Sequence, residues 1–375
     1  MNTINKSMNI AILGTRGIPN NYGGFEQCAE YLSVGLARKG HNITVYSPHF
    51  HPYNKNTYKG VNITKKLSPE NIFGNSASNF IYDYLCFKDA TRSEFDIILE
   101  LGLITSSLSI IFCRHRGKIV TTNLDGLEWK RSKWSRIVQK LTKKLEKYGV
   151  KNSDYLIADN IEIQDYIKSE YNRQSVYIPY GTIDILNPSN SCLDKYGLVE
   201  NSYFLTIARL EPENNLVMMF DAYILSNNKT PYYIVGNHLT TYGDFLKDKY
   251  RNKGIIFLGS IFNKADLDNI RYYSSMYLHG HSVGGTNPSL LEAMAAKAFI
   301  LAHNNNFNKC VLEENAFYFS TTIELSHLFN KDLERYKKPM ISNNLQKINK
   351  SYRWPVIINK YESYFRHILS KPSLQ

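Results

Sequence analysis

The sequence has 375 residues, of which 43% are hydrophobic and 21% charged, a composition that excludes a disordered or collagen-like chain. One compact core rarely serves so long a chain, so two domains are expected. The formal net charge of +12 leaves nucleic acid, an anionic membrane surface and phosphorylated small molecules as partners. The five cysteines are scattered and lack C-x-x-C spacing, which favours a reducing compartment over a disulfide or zinc framework.

The first half of the chain alternates β-rich apolar runs with segments whose apolar residues recur every three or four positions. The stretch 97–113 carries Glu100 and several Ser and Thr residues, so it predicts strand, turn and helix, not a membrane span. The polar start of the chain lacks a signal-peptide pattern, which predicts a cytosolic protein. Strands are predicted at 9–13, 43–46, 97–100, 118–122, 155–158 and 176–178, and helices at 24–39 and 135–150.

The pattern is interrupted at 187–194, a stretch rich in Pro, Ser and Asn that is typical of a linker, and then restarts. Alternation on both sides predicts an α/β fold with two doubly wound parallel sheets. Ligands of such sheets bind beyond the carboxyl ends of the strands, so the site is expected in a cleft between the halves. The second half has predicted strands at 203–207, 232–235, 255–258, 276–279 and 299–302, and helices at 216–225, 264–274 and 289–297.

A glycine-rich segment follows the first strand, with GTRGIP at 14–19 and YGGFE at 22–26 before a helix. Glycines allow tight turns and close ligand approach, and a helix start presents free N–H groups to an anion. The segment is neither G-x-G-x-x-G nor a Walker A loop, which disfavours an NAD site and a P-loop. An anion-binding loop and an ordinary strand-to-helix turn both stay open for it.

Two further motifs follow strands of the second half. ARLEPENN at 208–215 places Arg209 past a strand end, where it suits a diphosphate or is a surface arginine in a turn. HGHSVGGTNP at 279–288 leads from a strand through a glycine-rich loop into a helix, and this forms an anion cradle. Glu292 lies one turn inside that helix among apolar residues. A buried carboxylate needs a partner, and the two hydroxyls of a ribose would supply one.

In this order the motifs resemble the retaining GT-B glycosyltransferases with a glycogen-synthase-like nucleotide-sugar site, over nearly the whole chain. Together with DGLEWKR at 125–131, they are similar to a narrower branch, the rhamnosyltransferases of cell-wall, capsule and O-antigen polysaccharide assembly. The resemblance implies a hexosyltransferase-type enzyme with two Rossmann-like domains facing a cleft. It places an acceptor-side domain at 1–186, a nucleotide-sugar domain at 187–351, and a C-terminal helix at 352–375 that packs back on the first domain.

The resemblance also implies the donor site. Arg209 matches the arginine that contacts the donor diphosphate, Glu292 the carboxylate that holds the ribose, and Ile261 the backbone position that meets the base. Further residues expected around the diphosphate are Asn214, Gly284, Gly285, Thr286 and Asn287 in the second half and Arg16, Gly17, Gly23 and Gly24 in the first.

Three departures from the general family pattern fit the narrower branch. The first Glu of the family's E-x7-E pair is Gly284, its lysine is Asn214, and its histidine after the fourth strand is replaced by the segment 123–129. Asp125 and Glu128 are therefore the catalytic candidates. Asp125 takes the proton of the acceptor hydroxyl, or only positions groups while the leaving phosphate takes it, and both roles stay open. The reaction is expected to need no metal and no cofactor.

The acceptor-side candidates are Tyr82, Asp83, Trp129, Lys130 and Arg131. The segment 130–151 is densely basic, and its apolar stripe from Trp134 to Tyr148 is predicted to pack on the sheet while the lysines are solvated. Such charge beside Trp129 and Trp134 suits the anionic inner face of the cell membrane, where a polyprenyl-diphosphate-linked acceptor would be reached.

The donor expected from the branch is dTDP-rhamnose, used with retention, while a UDP- or GDP-sugar stays open. Two functions of another class stay open too. A basic nucleic-acid-binding protein would explain the charge but lacks the known motifs, and a non-catalytic sugar-nucleotide sensor would share the donor motifs without turnover. The partners expected are a nucleotide-sugar, a saccharide or lipid-linked acceptor and an anionic membrane, and no nucleic acid.

Overall fold

The structure is a computed structural model that describes residues 6–21, 23–113, 118–124, 126–131, 134–185 and 187–371. Its contacts divide the chain into two units. The first unit consists of Met1–Trp129, Arg136–Tyr180 and Trp354–Gln375, and the second of Lys130–Ser135 and Gly181–Arg353. The last segment of the chain therefore belongs to the same unit as the first.

The first unit contains a sheet with helices on it. Its strands are β1 (Asn9–Leu13), β2 (Asn42–Pro48), β3 (Thr57–Tyr58), β4 (Val61–Lys66), β5 (Ile97–Glu100), β6 (Ile119–Leu124), β7 (Tyr155–Ala158) and β8 (Val176–Tyr177), and its helices are α1 (Gly24–Arg38), α2 (Glu70–Ala90), α3 (Leu103–Cys113), α4 (Arg136–Asn152), α5 (Ile161–Tyr171) and α13 (Trp354–Ser370). The strand order is β3-β4-β2-β1-β5-β6-β7-β8. Only the β3–β4 pair of the described strands is antiparallel.

The second unit contains a parallel sheet. Its strands are β9 (Phe204–Ile207), β10 (Tyr232–Val235), β11 (Ile255–Gly259), β12 (Met276–His279), β13 (Ile300–His303) and β14 (Phe317–Phe319), and its helices are α6 (Leu216–Ser226), α7 (Thr241–Lys249), α8 (Lys264–Tyr272), α9 (Pro288–Ala295), α10 (Asn306–Leu312), α11 (Thr322–Asn330) and α12 (Glu334–Lys347). The strand order is β11-β10-β9-β12-β13-β14. An aromatic-rich core that includes Phe204, Phe220, Tyr232 and Phe329 lies between the sheet and its helices.

The predicted alternation is confirmed, and the predicted strands and helices end within two residues of the observed ones. The strands β3, β4 and β14 were not predicted. Strand β4 reads VNITKK, in which the apolar alternation ends after two residues, and β14 has three residues, too few to show a period. Among the parallel strands of each unit the order reverses between β1 and β5 and between β9 and β12, and open α/β sheets bind ligands beyond such a point.

The C-terminal helix α13 packs on α1, as predicted. The ring of Trp354 stacks on that of Tyr31 with a centroid separation of 4.9 Å. Gly35 allows the two helices to approach, because a Cβ at that position would lie 2.2 Å from Cδ1 of Ile358. Trp354 is therefore a buried packing residue. Across the described ranges, no helix has the length and apolar character needed to cross a bilayer.

The prediction that the apolar stripe of α4 packs on the sheet is wrong for its first half. Ile137 and Leu141 are 81% and 55% exposed. Helix α4 packs on α3 instead, where Gly149 lies against Leu103, and Leu145 is the buried member of the stripe. Periodicity identified the helix correctly but could not tell which part of a wide apolar face its neighbour covers.

Candidate functional site

Two adjacent strands of the second unit, β9 and β12, end where the strand order reverses. Strand β9 is followed by Ala208 and Arg209, and strand β12 by Gly280 and His281. Motifs about seventy residues apart in the sequence thus meet at the edge where parallel sheets bind their ligands.

Two asparagines join the segments that follow these strands. Asn214 donates its side-chain N–H to the carbonyl oxygen of Arg209 at 2.6 Å, and its side-chain oxygen lies 2.8 Å from Nδ1 of His281. Since the amide nitrogen is already used, the histidine nitrogen is the donor in the second bond. Asn215 donates to the carbonyl oxygen of Gly280 at 2.8 Å. Asn214, predicted to take the place of a lysine, therefore fixes the shape of the loop.

Gly280 lies in this junction without room for a side chain. A Cβ at this position would be 2.1 Å from the carbonyl oxygen of Asn214, a backbone atom that cannot rotate away. We expect Gly280→Val to separate the two strand-end segments, to lower the free energy of unfolding by about 1–3 kcal/mol, and to weaken binding of the nucleotide that the resemblance implies. Denaturant unfolding and calorimetric titration with dTDP and UDP measure the two effects. Unchanged nucleotide affinity would show that the spacing of these segments does not matter for the ligand.

The charges at this edge favour an anion. Burial, followed by the positive charges of Arg131 and Arg209, lowers the pKa of His281 to about 3, so the ring is neutral at physiological pH. His279 is buried as well, and burial, with His281 and His303 as smaller causes, lowers its pKa. Two arginines therefore act at this edge beside histidines that carry no charge.

Glu213 balances part of this positive charge. One oxygen of its buried carboxylate lies 3.5 Å from the guanidinium of Arg131. Neither carboxylate oxygen has a hydrogen-bond partner within the described ranges. The backbone carbonyl of Glu213 accepts the N–H and the hydroxyl of Ser282 at 3.1 and 2.7 Å. The carboxylate is thus held in place by its backbone while its oxygens make no hydrogen bond.

The glycine-rich loop leads into α9. Gly284 has φ of 131°, a conformation that favours glycine. Asn287 caps the helix by accepting the N–H of Ser289 at 2.9 Å, and Pro288 occupies the first helical position. The hydroxyl of Ser289 donates to the carbonyl oxygen of Ile207 at 3.1 Å, which fixes the start of α9 against the end of β9. The predicted phosphate-facing residues Gly284, Gly285, Thr286 and Asn287 lie together here, before a helix start suited to an anion.

Glu292 has a partner within the protein. Its Oε2 lies 2.6 Å from the guanidinium of Arg271, which is 2% exposed, and its Oε1 is 4.0 Å from Nζ of Lys264. Arg271 also lies 3.5 Å from Asp268. The argument that Glu292 needs a ligand to balance its charge is therefore wrong, because α8 supplies the balancing cation. Its contact with a ribose stays a prediction.

The sequence reasoning passed over one Asp-x-Asp pattern, at 266–268, a pattern that can hold a metal. In the structure these two carboxylates are engaged separately. Asp266 accepts from Lys195 and Tyr196 at 3.0 and 2.7 Å, while Asp268 pairs with Lys264 at 3.0 Å. No group of three His, Cys, Asp or Glu side chains suited to a metal occurs in the described part of the chain. Use of the donor without metal stays a prediction.

The predicted base contact, Ile261, follows the edge strand of the same sheet. Ile261 comes two residues after the end of β11, and β10 separates β11 from β9. The residue is half-buried. Its place beyond a strand end is the one expected, and its contact with a base stays a prediction.

In the first unit, the glycine-rich segment after β1 lies where the strand order reverses. Gly14 and Gly17 have φ of 75° and 91°. Gly14 must be glycine for a second reason, since a Cβ there would lie 1.8 Å from Oε1 of Glu100. Gly23 and Gly24 form the start of α1. The predicted loop is thus shaped by glycines at two positions where other residues would be strained.

A carboxylate in the first turn of α1 holds this loop. Oε1 of the buried Glu26 accepts the backbone N–H of Arg16 at 2.8 Å. The guanidinium of Arg16 pairs with Glu70 at 3.0 Å. Arg16 therefore has a carboxylate partner within the protein, and its contact with a diphosphate stays a prediction.

Two acceptor-side candidates lie beneath this loop. Tyr82 is buried and donates to the carbonyl oxygen of Thr15 at 3.2 Å. Asp83 is buried beside Glu100, and Oδ2 of the first and Oε2 of the second have no hydrogen-bond partner in the described chain. Burial raises the pKa of Asp83 to about 7, and burial together with the charge of Asp83 raises the pKa of Glu100. Tyr82 and Glu100 therefore contact the loop within the protein interior, and a direct contact of Tyr82 or Asp83 with an acceptor stays a prediction.

The catalytic candidate Asp125 lies outside the described residues. Glu128 and Lys130 belong, with Trp129, to a short 3-10 turn, Glu128–Lys130. The indole N–H of Trp129 donates to the hydroxyl of Tyr166 at 3.2 Å, and that hydroxyl donates to the buried carboxylate of Glu146 at 2.5 Å. This chain of hydrogen bonds was not predicted, because Glu146 is the single acid within the basic segment 130–151 and its tyrosine partners lie on another helix.

Comparison with known proteins supports the fold. Residues 7–183 match a family model described as a domain of unknown function, DUF1972. No curated protein sequence matches the chain significantly. A sucrose-phosphate synthase from Thermosynechococcus elongatus has a TM-score of 0.82 at 14% identity, with 97% of this chain and 99% of that chain covered.

Two further solved structures are similar over their whole length. A glycosyltransferase from Rickettsia africae has a TM-score of 0.71 at 13% identity, covering 98% of this chain and 100% of its own. Anabaena HepE in complex with UDP-glucose has a TM-score of 0.73 at 16% identity, covering 96% and 100%. At such identities the likeness shows the fold, and it confirms the predicted two-domain α/β architecture, GT-B.

Proposed function

We propose that the protein is a glycosyltransferase that moves a sugar from a nucleoside diphosphate onto a carbohydrate acceptor. The observation that carries this proposal is the strand-end site of the second unit. It combines two arginines acting beside an uncharged His281 with a glycine-rich loop and the capped start of α9. Such an arrangement suits a diphosphate. The similar structures named above include enzymes called synthases and glycosyltransferases and one that holds UDP-glucose.

The arginines compensate for the lysine that the resembling family has. Asn214 occupies the expected lysine position and is used to fix the loop. Arg131, predicted on the acceptor side, acts on His281 together with Arg209 and pairs with Glu213. We propose that Arg131 brings the second cation to the donor diphosphate, which competes with Glu213 for it.

In the proposed reaction the bond between the anomeric carbon and the diphosphate oxygen breaks, and the same carbon forms a bond to an acceptor hydroxyl oxygen with retention. Negative charge grows on the leaving diphosphate, where Arg209, Arg131 and the N–H groups before α9 would stabilise it. The hydroxyl proton passes to the leaving diphosphate or to a carboxylate. Asp125 and Glu128 are the candidates for that carboxylate or for orienting the acceptor.

The donor proposed is dTDP-rhamnose, from the resemblance of the motifs to the rhamnosyltransferase branch, with UDP- and GDP-sugars as alternatives. The acceptor proposed is a saccharide or a polyprenyl-diphosphate-linked sugar of polysaccharide assembly. Reaching such an acceptor would place the enzyme on the cytoplasmic face of the cell membrane.

We expect Arg209→Ala and Arg131→Ala each to lower kcat/KM for the donor by about 10- to 150-fold, the loss for one hydrogen bond to a charged group. A thermal-shift panel of dTDP-, UDP- and GDP-sugars first identifies the donor, and transfer to lipid-diphosphate-linked GlcNAc then gives the kinetics. Arg251→Ala is the matched control, because Arg251 lies in the same unit and is exposed.

Wild-type donor kinetics in both variants would refute the site. Binding of the nucleotide-sugar without hydrolysis or transfer would instead support a sensor. Retention on DNA without nucleotide-sugar binding would support a nucleic-acid-binding protein.

A further inference from the structure

The exposed side of α4 carries two different stripes next to each other. Ile137, Leu141 and Tyr148 follow one another at spacings of four and seven, so they share one helical face. A second set of exposed residues, rotated by less than a quarter turn from the first, is cationic throughout. This set consists of Arg136, Lys140, Lys144, Lys147 and Lys151.

The helix that packs on α4 carries exposed apolar residues as well. Helix α3 packs on α4 and reads LITSSLSIIFC, without a charged residue. Its Phe112 is 70% exposed, and Leu108, one turn earlier, is exposed as well. We call the exposed apolar stripe of α4 together with its cationic stripe the basic–apolar face. Large apolar side chains grouped on one face in this way mark an interaction site.

We infer that the basic–apolar face docks on an anionic membrane surface, with Ile137 and Leu141 entering the headgroup region and the cations meeting lipid phosphates. The charge is complementary, since anionic leaflets attract clustered lysines, whose alkyl stems also cover apolar surface. No acid weakens the stripe from within α4. Its Glu146 is buried and accepts hydrogen bonds from Tyr166 and Tyr171.

Other occupants fit this face less well. Nucleic acid would use the cations and leave Ile137 and Leu141 without a role. A second copy of the chain would bring two cationic stripes together, which is unfavourable. Trp129, expected at the membrane from the sequence, donates its N–H to Tyr166 and lies under Lys143 at 4.4 Å, so it is engaged within the protein.

The test is sedimentation of the full chain with vesicles of phosphatidylcholine alone or with about 30% phosphatidylglycerol. We expect wild type to bind only the anionic vesicles, more weakly as salt rises. Ile137→Ser/Leu141→Ser and Lys144→Glu/Lys147→Glu are each expected to lower the partition coefficient by about tenfold or more. Matched controls in the second unit are Val199→Ser, which is 68% exposed, and Lys229→Glu/Lys253→Glu, which changes the net charge equally at exposed sites.

Equal loss in the controls, or unchanged binding in the α4 variants, would overturn the inference. So would DNA retention that depends on the lysines and not on Ile137, or a dimer in solution that the serine variant dissociates. The inference rests on the proposed function only for the lipid-linked acceptor. Vesicle binding is measured without a donor, and nucleotide-sugar binding by the α4 variants is measured without vesicles. A failure of the membrane inference is therefore distinguished from a failure of the proposed function.

Discussion

Replacing Glu292 with alanine is expected to lower the free energy of unfolding by about 3 kcal/mol or more. The substitution leaves the guanidinium of Arg271 buried without the carboxylate that lies 2.6 Å away. Asp268 at 3.5 Å and Ser289 at 3.3 Å remain as partners and limit the loss. Urea unfolding measures the change. Glu334→Ala, which removes a carboxylate that is 76% exposed, is the control and is expected to change stability by less than about 0.5 kcal/mol.

Glu292→Gln separates the two roles of this side chain. Glutamine keeps an oxygen for Arg271, so we expect most of the stability to return. If a ribose binds here, one neutral amide oxygen replaces two charged ones, and donor affinity should fall by about tenfold or more. Calorimetric titration with the donor nucleotide measures it. Wild-type affinity in the glutamine variant would show that Glu292 serves the fold alone.

The second large effect concerns Asp83 and pH. The pKa of this buried carboxyl is raised from 3.8 to about 7 in the folded protein, so between these values the folded state holds a proton that the unfolded state has lost. The contribution of Asp83 to stability therefore falls as the pH rises from about 4 to about 7 and is constant above that. Asp83→Asn removes this contribution, and we expect it to gain on the order of 4 kcal/mol relative to wild type by the upper end of the window.

Denaturant unfolding of wild type and Asp83→Asn at a series of pH values tests this. Glu100, whose pKa is raised as well, leaves a smaller slope in the variant. Asp248→Asn is the control because that carboxylate is 71% exposed. Parallel pH curves for wild type and Asp83→Asn would contradict a protonated Asp83 in the folded state.

Strands, helices and loops with special backbone needs were readable from the sequence. The loop after β1 and the loop before α9 were found because glycine marks positive φ, as Gly14 and Gly284 confirm. The capping Asn287 and the following Pro288 mark the helix start by residue type alone. These preferences depend only on residues next to one another in the chain, so they can be read from a single sequence.

Pairings between distant segments could not be read in this way. Arg271 lies twenty-one residues before Glu292, on another helix, and nothing in its own neighbourhood distinguishes it from a surface arginine. Glu146 could not be recognised as a hydrogen-bond acceptor because the tyrosines that donate to it lie on α5. Arg131 is close in sequence to the acceptor-side candidates, yet its contacts are with the second unit. Each of these depends on packing that no periodicity encodes.

The position of α13 has a consequence for synthesis of the protein. The first unit includes Trp354–Gln375, so α1 lacks the helix that covers Tyr31 and Gly35 until the residues of α13 leave the ribosome. The ribosome needs about 10–40 s to pass from Tyr180 to that helix. The last segment of the second unit ends at Arg353, before the last segment of the first unit begins. All residues of the second unit are therefore synthesised before the first unit is complete. The order of folding is therefore expected to run against the order of translation, and ribosome-bound chains should expose an apolar groove on α1 that chaperones recognise.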